Sequence, residues 1–490
     1  MKVYQPQIKV TLIKTRSRDK VSGALPAVAV RYKEPRILDL TPFLSDGGVR
    51  LQKSVREPAG AFSISLVPRP YGALLETVDA LIEPMDLVEI RMAHEAPSEK
   101  LTPAERQDWP PVVMRGFVSQ VARSESIADG TPQRSIVVSG QDYGKLWQIL
   151  TIFYLNNSVV GDNILHGLQF FEKYASADDA KNMSAQTYIG LLLDKVLNPY
   201  LAKMTALADK KGGMPALIKA KVSITGTVSP TGVGGAQDAS VHQLMSRFLD
   251  VGPFHELYIE DVGPDVVLVA RPQPAWGGDG LAYDAAEVLP EAVDIGLGDV
   301  VSAQMTRSDA GVYNIFEVEN SRAVLVDSNV YRALAMEAGV GNPLRMEDLN
   351  QEAAFFGVRR IAVNTNLNNP ALILGDAETK EQRPAEVAKT LGWLATRVER
   401  LVQLNRDASV FERGSLRLKG NEGIRAGMRL RVRHSASLTV TYYVPSVSHE
   451  FIPGAGFFTT VQVERGNGFI LSAGLALAPD LARRDLGGVK

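Results

Sequence analysis

The sequence predicts a β-rich α+β chain built from two β modules, the second discontinuous, with helical and small α+β insertions. Three observations carry this. Short alternating strands punctuated by Pro and Gly fill residues 1–145. Alternation returns at 299–320 and again at 405–470. Helical periodicity occupies much of what lies between. A chain of 490 residues exceeds what one core organises, so three or four domains are expected.

Ile8 to Ile13 mostly alternates, as a half-buried strand does. Ala27 to Tyr32 places Val28, Val30 and Tyr32 on one face, and Ala61 to Val67 does the same with Phe62, Ile64 and Leu66. Asp86 to Met92, Val112 to Val121 and Arg134 to Gly140 are further strands. Breaks at Pro58, Gly60, Pro68, Pro70, Pro110 and Pro111 suit a barrel or sandwich. The first module is therefore 1–145.

Residues 146–237 read as a helical insertion and linker. Leu146, Leu150, Phe153 and Tyr154 keep helical spacing; Tyr188, Leu191, Leu192 and Val196 continue it to a stop at Pro199. Lys210 to Gln237 is a Gly/Pro/Thr-rich loop around a short strand at Lys221 to Thr225. A small α+β domain follows at 238–298. Ser240 and Gln243 form a capping box, and Val241, Leu244, Met245, Phe248 and Leu249 line one helix face. A hairpin then pairs Glu256–Glu260 with Val266–Ala270 around Asp261 to Asp265.

Val300 to Met305 and Tyr313 to Val318 are strands too few to stand alone. Their natural partners are the strands after 410: Gly414–Leu418, Met428–Arg433, Leu438–Val447 and Phe457–Glu464. The second module is thus 299–320 with 405–470, and 321–404 is inserted into it. That insertion is mixed at Asp327 to Asn350. It ends in a helix opened by Pro384, with Val387, Leu391, Leu394, Val398 and Leu401 in one stripe. Residues 471–490 read as a tail.

The chemistry-bearing residues form no recognisable constellation. Zero cysteines exclude disulfides, zinc ribbons and a cysteine nucleophile together. Of His94, His166, His242, His255, His434 and His449, no two have the HExxH spacing, so surface or capping roles outweigh a metal. No GxSxG elbow is present. Gly232-Val233-Gly234-Gly235 lacks a following lysine and reads as a flexible loop rather than a phosphate cradle. Asn156-Asn157-Ser158 and Asn182-Met183-Ser184 are sequons by pattern only. Tyr442-Tyr443 in a strand should send one ring in and one out, the outer ring being a surface residue or a subunit contact. No catalytic, cofactor-binding or metal-binding residue is therefore assigned, and no cofactor is expected. A net charge of −2 argues against a dedicated nucleic-acid binder, although a local basic face is compatible with it. The N-terminus has no signal-peptide core and no run approaches a membrane span, so folding in a cytoplasm is expected.

Leu51 to Leu66 (LQKSVREPAGAFSISL) resembles the segment leading to a "GSFSLTL" strand in phage tail baseplate hub proteins, the late-control-D-like family, similar also to the head of type VI secretion spikes. Gly116–Ser124 and Val137-Val138-Ser139-Gly140-Gln141-Asp142 look like its later strands, with Gln141 where Arg is commoner. Leu416–Gly420 and Ile424–Val432 resemble its "l-r-P-G-m-r-v" segment, with Ala426 in place of Pro. Tyr443–Phe451 looks like "Y-x-V-x-S-V-x-H-x-f", and Phe458–Arg465 like the closing strand.

The resemblance implies tail-tube-type β-barrels, two per protomer, and a homotrimer presenting six barrels. Such a ring adapts a sixfold tail tube to a threefold spike or tip. The implied partners are a tail tube or distal tail protein, a spike, fibre or tip protein, and a tape measure protein. DNA is met only in transit, and no stable membrane insertion is implied. The implied location is the virion tail tip, assembled in the bacterial cytoplasm. The implied role is structural rather than enzymatic. A peptidoglycan-degrading tail-tip enzyme is the alternative, with room for it only in 145–235, and so is another tail role such as a distal ring or receptor-binding module.

Overall fold

Val10 and Leu12 alternate with Lys9 and Thr11, so a pleated strand buries one row and wets the other. In the computed structural model this segment is strand β1 (Gln7–Ser17). The structure describes residues 5–17, 30–71, 77–98, 101–102, 106, 108–128, 131–153, 183–205, 214–228, 238–278, 280–283, 288–320, 344–345, 350–367, 383–435 and 438–468. Then come β2 (Val30–Asp39), β3 (Leu44–Ser54), β4 (Ala61–Leu66), β5 (Leu87–Ala93), β6 (Val112–Ala128) and β7 (Thr131–Asp142). They pair antiparallel in the order β3-β4-β7-β6-β5-β1-β2. Val10, Leu12, Leu51, Phe62, Ile64, Val88, Ile90, Met114 and Val138 meet in one core, so the sheet curls around its own apolar face.

Helix α1 (Gly144–Ile149) and strand β8 (Thr151–Phe153) lead to β9 (Met183–Ser184), α2 (Ala185–Leu192) and α3 (Asn198–Thr205). Pro199 does not end the helical run as its sequence position suggests. A π turn at Leu193–Leu197 precedes it and relieves the hydrogen-bond pattern that a residue without an N–H cannot complete. Strand β10 (Ile218–Val222) is earlier than expected, and Asn198 brackets it by bonding both the N–H and the carbonyl of Ile218. Next are β11 (Thr227–Val228), β12 (Asp238–Ser240), α4 (Val241–Phe248), β13 (His255–Val262) and β14 (Asp265–Pro272). The capping box at Ser240 and Gln243 is formed, at 3.2 and 2.9 Å. Strand β10 joins the β13–β14 hairpin in parallel to β14. Trp147, Tyr188, Leu192, Val241, Phe248, Leu257 and Leu268 form a second core under it.

Strands β15 (Ala292–Ile295), β16 (Val300–Thr306), β17 (Ile315–Asn320) and β18 (Leu344–Arg345) follow, then α5 (Ala353–Phe356), β19 (Arg360–Thr365) and the long α6 (Arg383–Asn405). Strands β20 (Glu412–Lys419), β21 (Arg429–Arg433), β22 (Thr439–Ile452) and β23 (Gly456–Gly466) close the described chain. The 300–306 strand pairs with β20 as expected, but the 313–318 strand does not join it. As β17 it takes β19 in parallel and β18 antiparallel, in a sheet of its own. The reason is burial: Phe316 and Val318 pack on Leu394, Leu401 and Val402 of α6. The insertion therefore carries its own core.

Two separate closed barrels are not what the strands form. One 13-stranded sheet runs through both modules, because β22 pairs with β3. The edge of β3 that would close the first barrel is occupied by the second module. Each module nonetheless keeps its own core, the second made of Leu416, Leu418, Leu430, Val432, Tyr442, Val461 and Val463.

The two modules repeat one topology. The ladders β3–β4, β4–β7, β7–β6 and β6–β5 recur as β16–β20, β20–β23, β23–β22 and β22–β21. The repetition extends to irregularities. Strand β6 shifts register between Val118 and Gln120 against β7, and β22 between Tyr443 and Ser446 against β23. Just before β5, Met85 has φ of 71° and donates to the Val118 carbonyl at 2.8 Å. Just before β21, Gly427 has φ of 86° and donates to the Val444 carbonyl at 2.8 Å. A left-handed residue at the same place in both is what re-aims the chain there. They differ at one side: β1 runs antiparallel to β5, and β15 parallel to β21.

Candidate assembly interface

The joint between modules is a six-pair antiparallel ladder from Ser446↔Ser54 to Phe451↔Val49. Alternation gives it two rows. The outer row carries the Arg50–Glu450 ion pair, with Arg417 3.3 Å from the same carboxylate. The inner row sets Val49, Leu51 and Lys53 beside Phe451, His449 and Val447. His449 is 2 % exposed and satisfied by the Thr459 hydroxyl at 3.0 Å and the Ile424 carbonyl at 3.2 Å. Burial, with Arg425 adding, pushes its pKa down to about 4, so it stays neutral. Two further contacts cross the joint: the Arg56–Glu464 ion pair, bidentate at 2.8 and 2.6 Å, and a His94–Glu422 hydrogen bond at 2.7 Å.

The turn of the β13–β14 hairpin enters from a third side. Lys53 meets Asp261 at 2.6 Å and Asp142 at 3.5 Å. Arg115 meets Glu89 at 3.0 Å and Asp261 at 3.5 Å, and donates to the Gly263 carbonyl at 3.0 Å. Burial raises the pKa of Asp142 to about 6 against the pull of Lys53. Burial works to lower Lys53, but Asp261 and Asp142 more than offset it and raise its pKa. The cluster thus locks the first module, the joint and the α+β unit together, each carboxylate facing a cation.

Tyr442 and Tyr443 correct the one-in, one-out expectation. Both are buried, at 0 % and 5 % exposure. Both rings belong to the second core's cluster, which also takes in Tyr258 and Val269 of the β13–β14 hairpin. The Tyr443 hydroxyl bonds Glu256, which Arg271 holds at 2.9 Å, and Trp276 packs edge-on to the Tyr443 ring. Over Tyr442 to Pro445 strand β22 is covered on both faces, so this stretch has no outer row.

The other histidines are not brought together. His242 packs on Trp147, His255 bonds the Leu249 carbonyl with Arg397 beside it, and His434 contacts Tyr442. Among the described residues no group of metal-ligating side chains occurs. His166, Asn156, Asn157, Ser158, Asn182, Gly232 to Gly235 and the 471–490 segment lie outside the described residues. Reading the sequence missed Lys53 and Asp261. Lys53 follows Val49 and Leu51 at a spacing of two, which marks a cation on an inward row. Nothing local distinguishes Asp261 from an ordinary turn residue.

Among the described residues several strand edges lack a partner, β2 at the other end of the large sheet among them; two bear on assembly. Strand β16 is one end of the large sheet, and Val301 to Gln304 are exposed on both faces. It has no charge and no proline, the usual protections of an edge. Strand β6 loses β5 after Phe117; beyond Val118 its remaining edge has no strand partner among the described residues. There Ser119 to Ile127 are largely exposed, Ile127 at 78 %.

No protein-family model matches the sequence, and no curated protein matches it. In structure the chain is similar to tail proteins of prophages. One is the 43 kDa tail protein of prophage MuSo2 from Shewanella oneidensis, at 11% identity and a TM-score of 0.43, covering 93% of this chain and 96% of that one. Another is prophage tail protein gp18 from Listeria monocytogenes, at 10% identity and 0.43, covering 91% and 96%. A third is the E. coli c3393 protein, at 8% identity and 0.34, covering 85% and 72%. It is described as a type VI secretion component structurally similar to the T4 tail proteins gp27 and gp5.

Proposed function

We propose that this chain is the structural hub of a phage tail baseplate: three copies form a ring that adapts a sixfold tube to a threefold tip around the path of the DNA. One observation carries the reading. Two modules of one topology are joined edge to edge by a ladder inside a single chain. Three such chains, joined by the same kind of contact, present six equivalent modules under threefold symmetry. A ring of that kind uses heterologous contacts that close after three steps. The rigid joint supports this reading, since a hinge between modules would blur the ring.

In this reading one face of the ring meets the tail tube or a distal tail protein, and the other a spike, fibre or tip protein. The tape measure protein ends near it, and DNA passes through without stable binding. The test is mass in solution by light scattering. The purified chain should weigh three times its 53.2 kDa. A chain that stays monomeric at tens of micromolar, or assembles as a sixfold ring, overturns the reading.

A further inference from the structure

We infer that the subunit contact is a strand ladder: β16 of one copy pairs antiparallel with the distal half of β6 of the next, repeating the internal β3–β22 joint. This rests on the trimeric reading above and names its contact surface.

The duplication supplies the pairing. Strand β3 is to the first module what β16 is to the second, and β6 corresponds to β22. Inside the chain, β3 lies on the stretch of β22 beyond its register shift. The counterpart stretch of β6 beyond its own shift is bare, and the counterpart of β3, strand β16, is bare at the sheet's end. The fold therefore makes this joint once and leaves both halves of a second one open.

The ladders set the register. Arg50 lies opposite Ser63, and Gln304 opposite Ser415. Ser63 and Ser415 lie opposite Ser139 and Gln462, which lie opposite Gln120 and Ser446. Gln120 thus corresponds to Ser446, and Ser124 to Glu450 four residues on. Arg50 pairs with Glu450, so Gln304 pairs with Ser124 of the next copy. The same register puts Ser302 opposite Ser126, and brings Val301, at the register shift of β16, beside Ile127. Those last two are exposed apolar side chains, at 52 % and 78 %, which the pairing brings together. Backbone ladders fix the register at Gln304, and the approach of these two apolar side chains agrees with it. The pairing also covers the uncharged edge of β16, which would otherwise invite aggregation.

The chain has no cysteine, so engineered pairs report without background. The full chain carrying Gln304→Cys with Ser124→Cys should oxidise to a three-chain species on a denaturing gel, reversed by reductant. The neighbouring pair, Ala303→Cys with Glu125→Cys, covers the other alternate position of the ladder. Thr306→Cys with Ser126→Cys, offset by four residues or roughly 13 Å, should not cross-link. Light scattering runs alongside. Trimers in which neither matched pair cross-links, or the offset pair does so equally, overturn the inference and leave the trimer standing. Monomers throughout overturn both.

Discussion

Lys53→Met lowers the free energy of unfolding by about 3–5 kcal/mol, the usual cost of removing one partner from a buried ionic group. The lysine's side chain is 13% exposed, and it faces Asp261 and Asp142, whose side chains are 3% and 2% exposed. Without it two carboxylates share one water-poor junction. Arg115, 3.5 Å from Asp261 and already bonded to Glu89, can answer only one of them. Methionine keeps the stem's packing, so the loss measures charge and not volume. Adding Asp261→Asn should recover part of the loss, because the stranded charge is then neutral. Urea unfolding followed by fluorescence reads this. A loss below about 1 kcal/mol would mean the junction admits water and the cluster is a surface network.

The second large effect is on pH. His449 has its pKa lowered to about 4 by burial in the joint, against 6.5 for the free side chain. A depressed pKa in the folded state means full stability above 6.5 and a loss as pH falls toward 4. The loss attributable to this group reaches about 3 kcal/mol. His255, lowered to about 3 by burial and Arg397, adds a slope of the same sign that continues further down. Asp142, raised to about 6, acts oppositely, gaining stability as pH falls from 6 toward 3.8. A difference experiment isolates His449. His449→Gln should be less stable than the parent at pH 7, and the gap should narrow by about 3 kcal/mol at pH 4. Parallel curves across that range would show that the imidazole is already charged, or hydrated, in the folded joint.

What the sequence shows of this fold depends on whether a strand's partner is implied by its own pattern. Alternation marks β1, β4, β7, β20 and β23, since their apolar rows face a core whatever lies beside them. It does not mark the start of β3, where Asp46, Gly47 and Gly48 interrupt the rows. Gly48 sits at φ 60° against the Phe451 carbonyl, a close approach that a side chain would block. Alternation also misplaces β17. Its pattern fits either module, and only the parallel partner β19, some 45 residues on, decides. The second face of β22 is invisible for a similar reason: Tyr443 reads as an outward residue until the β13–β14 hairpin is laid over it.

The site is less legible than the fold. Repeated topology with no repeated sequence leaves the two modules related only through their ladders, and a register shift has no residue signature. The motifs at Leu51–Leu66 and Tyr443–Phe451 contain both strands of the joint, yet nothing in either names the other. Only the ladder from Ser54 to Val49 shows that the two segments meet.

If a duplicated, rigidly joined pair of modules builds a six-module ring from three chains, the ring itself should be visible. Rotationally averaged electron-microscope images of the purified chain look for it most directly. Closed rings with six similar peripheral lobes and strict threefold symmetry are expected, broken from sixfold by the insertions within every second module. Rings with six copies, open filaments, or isolated two-lobed particles would contradict the trimeric hub.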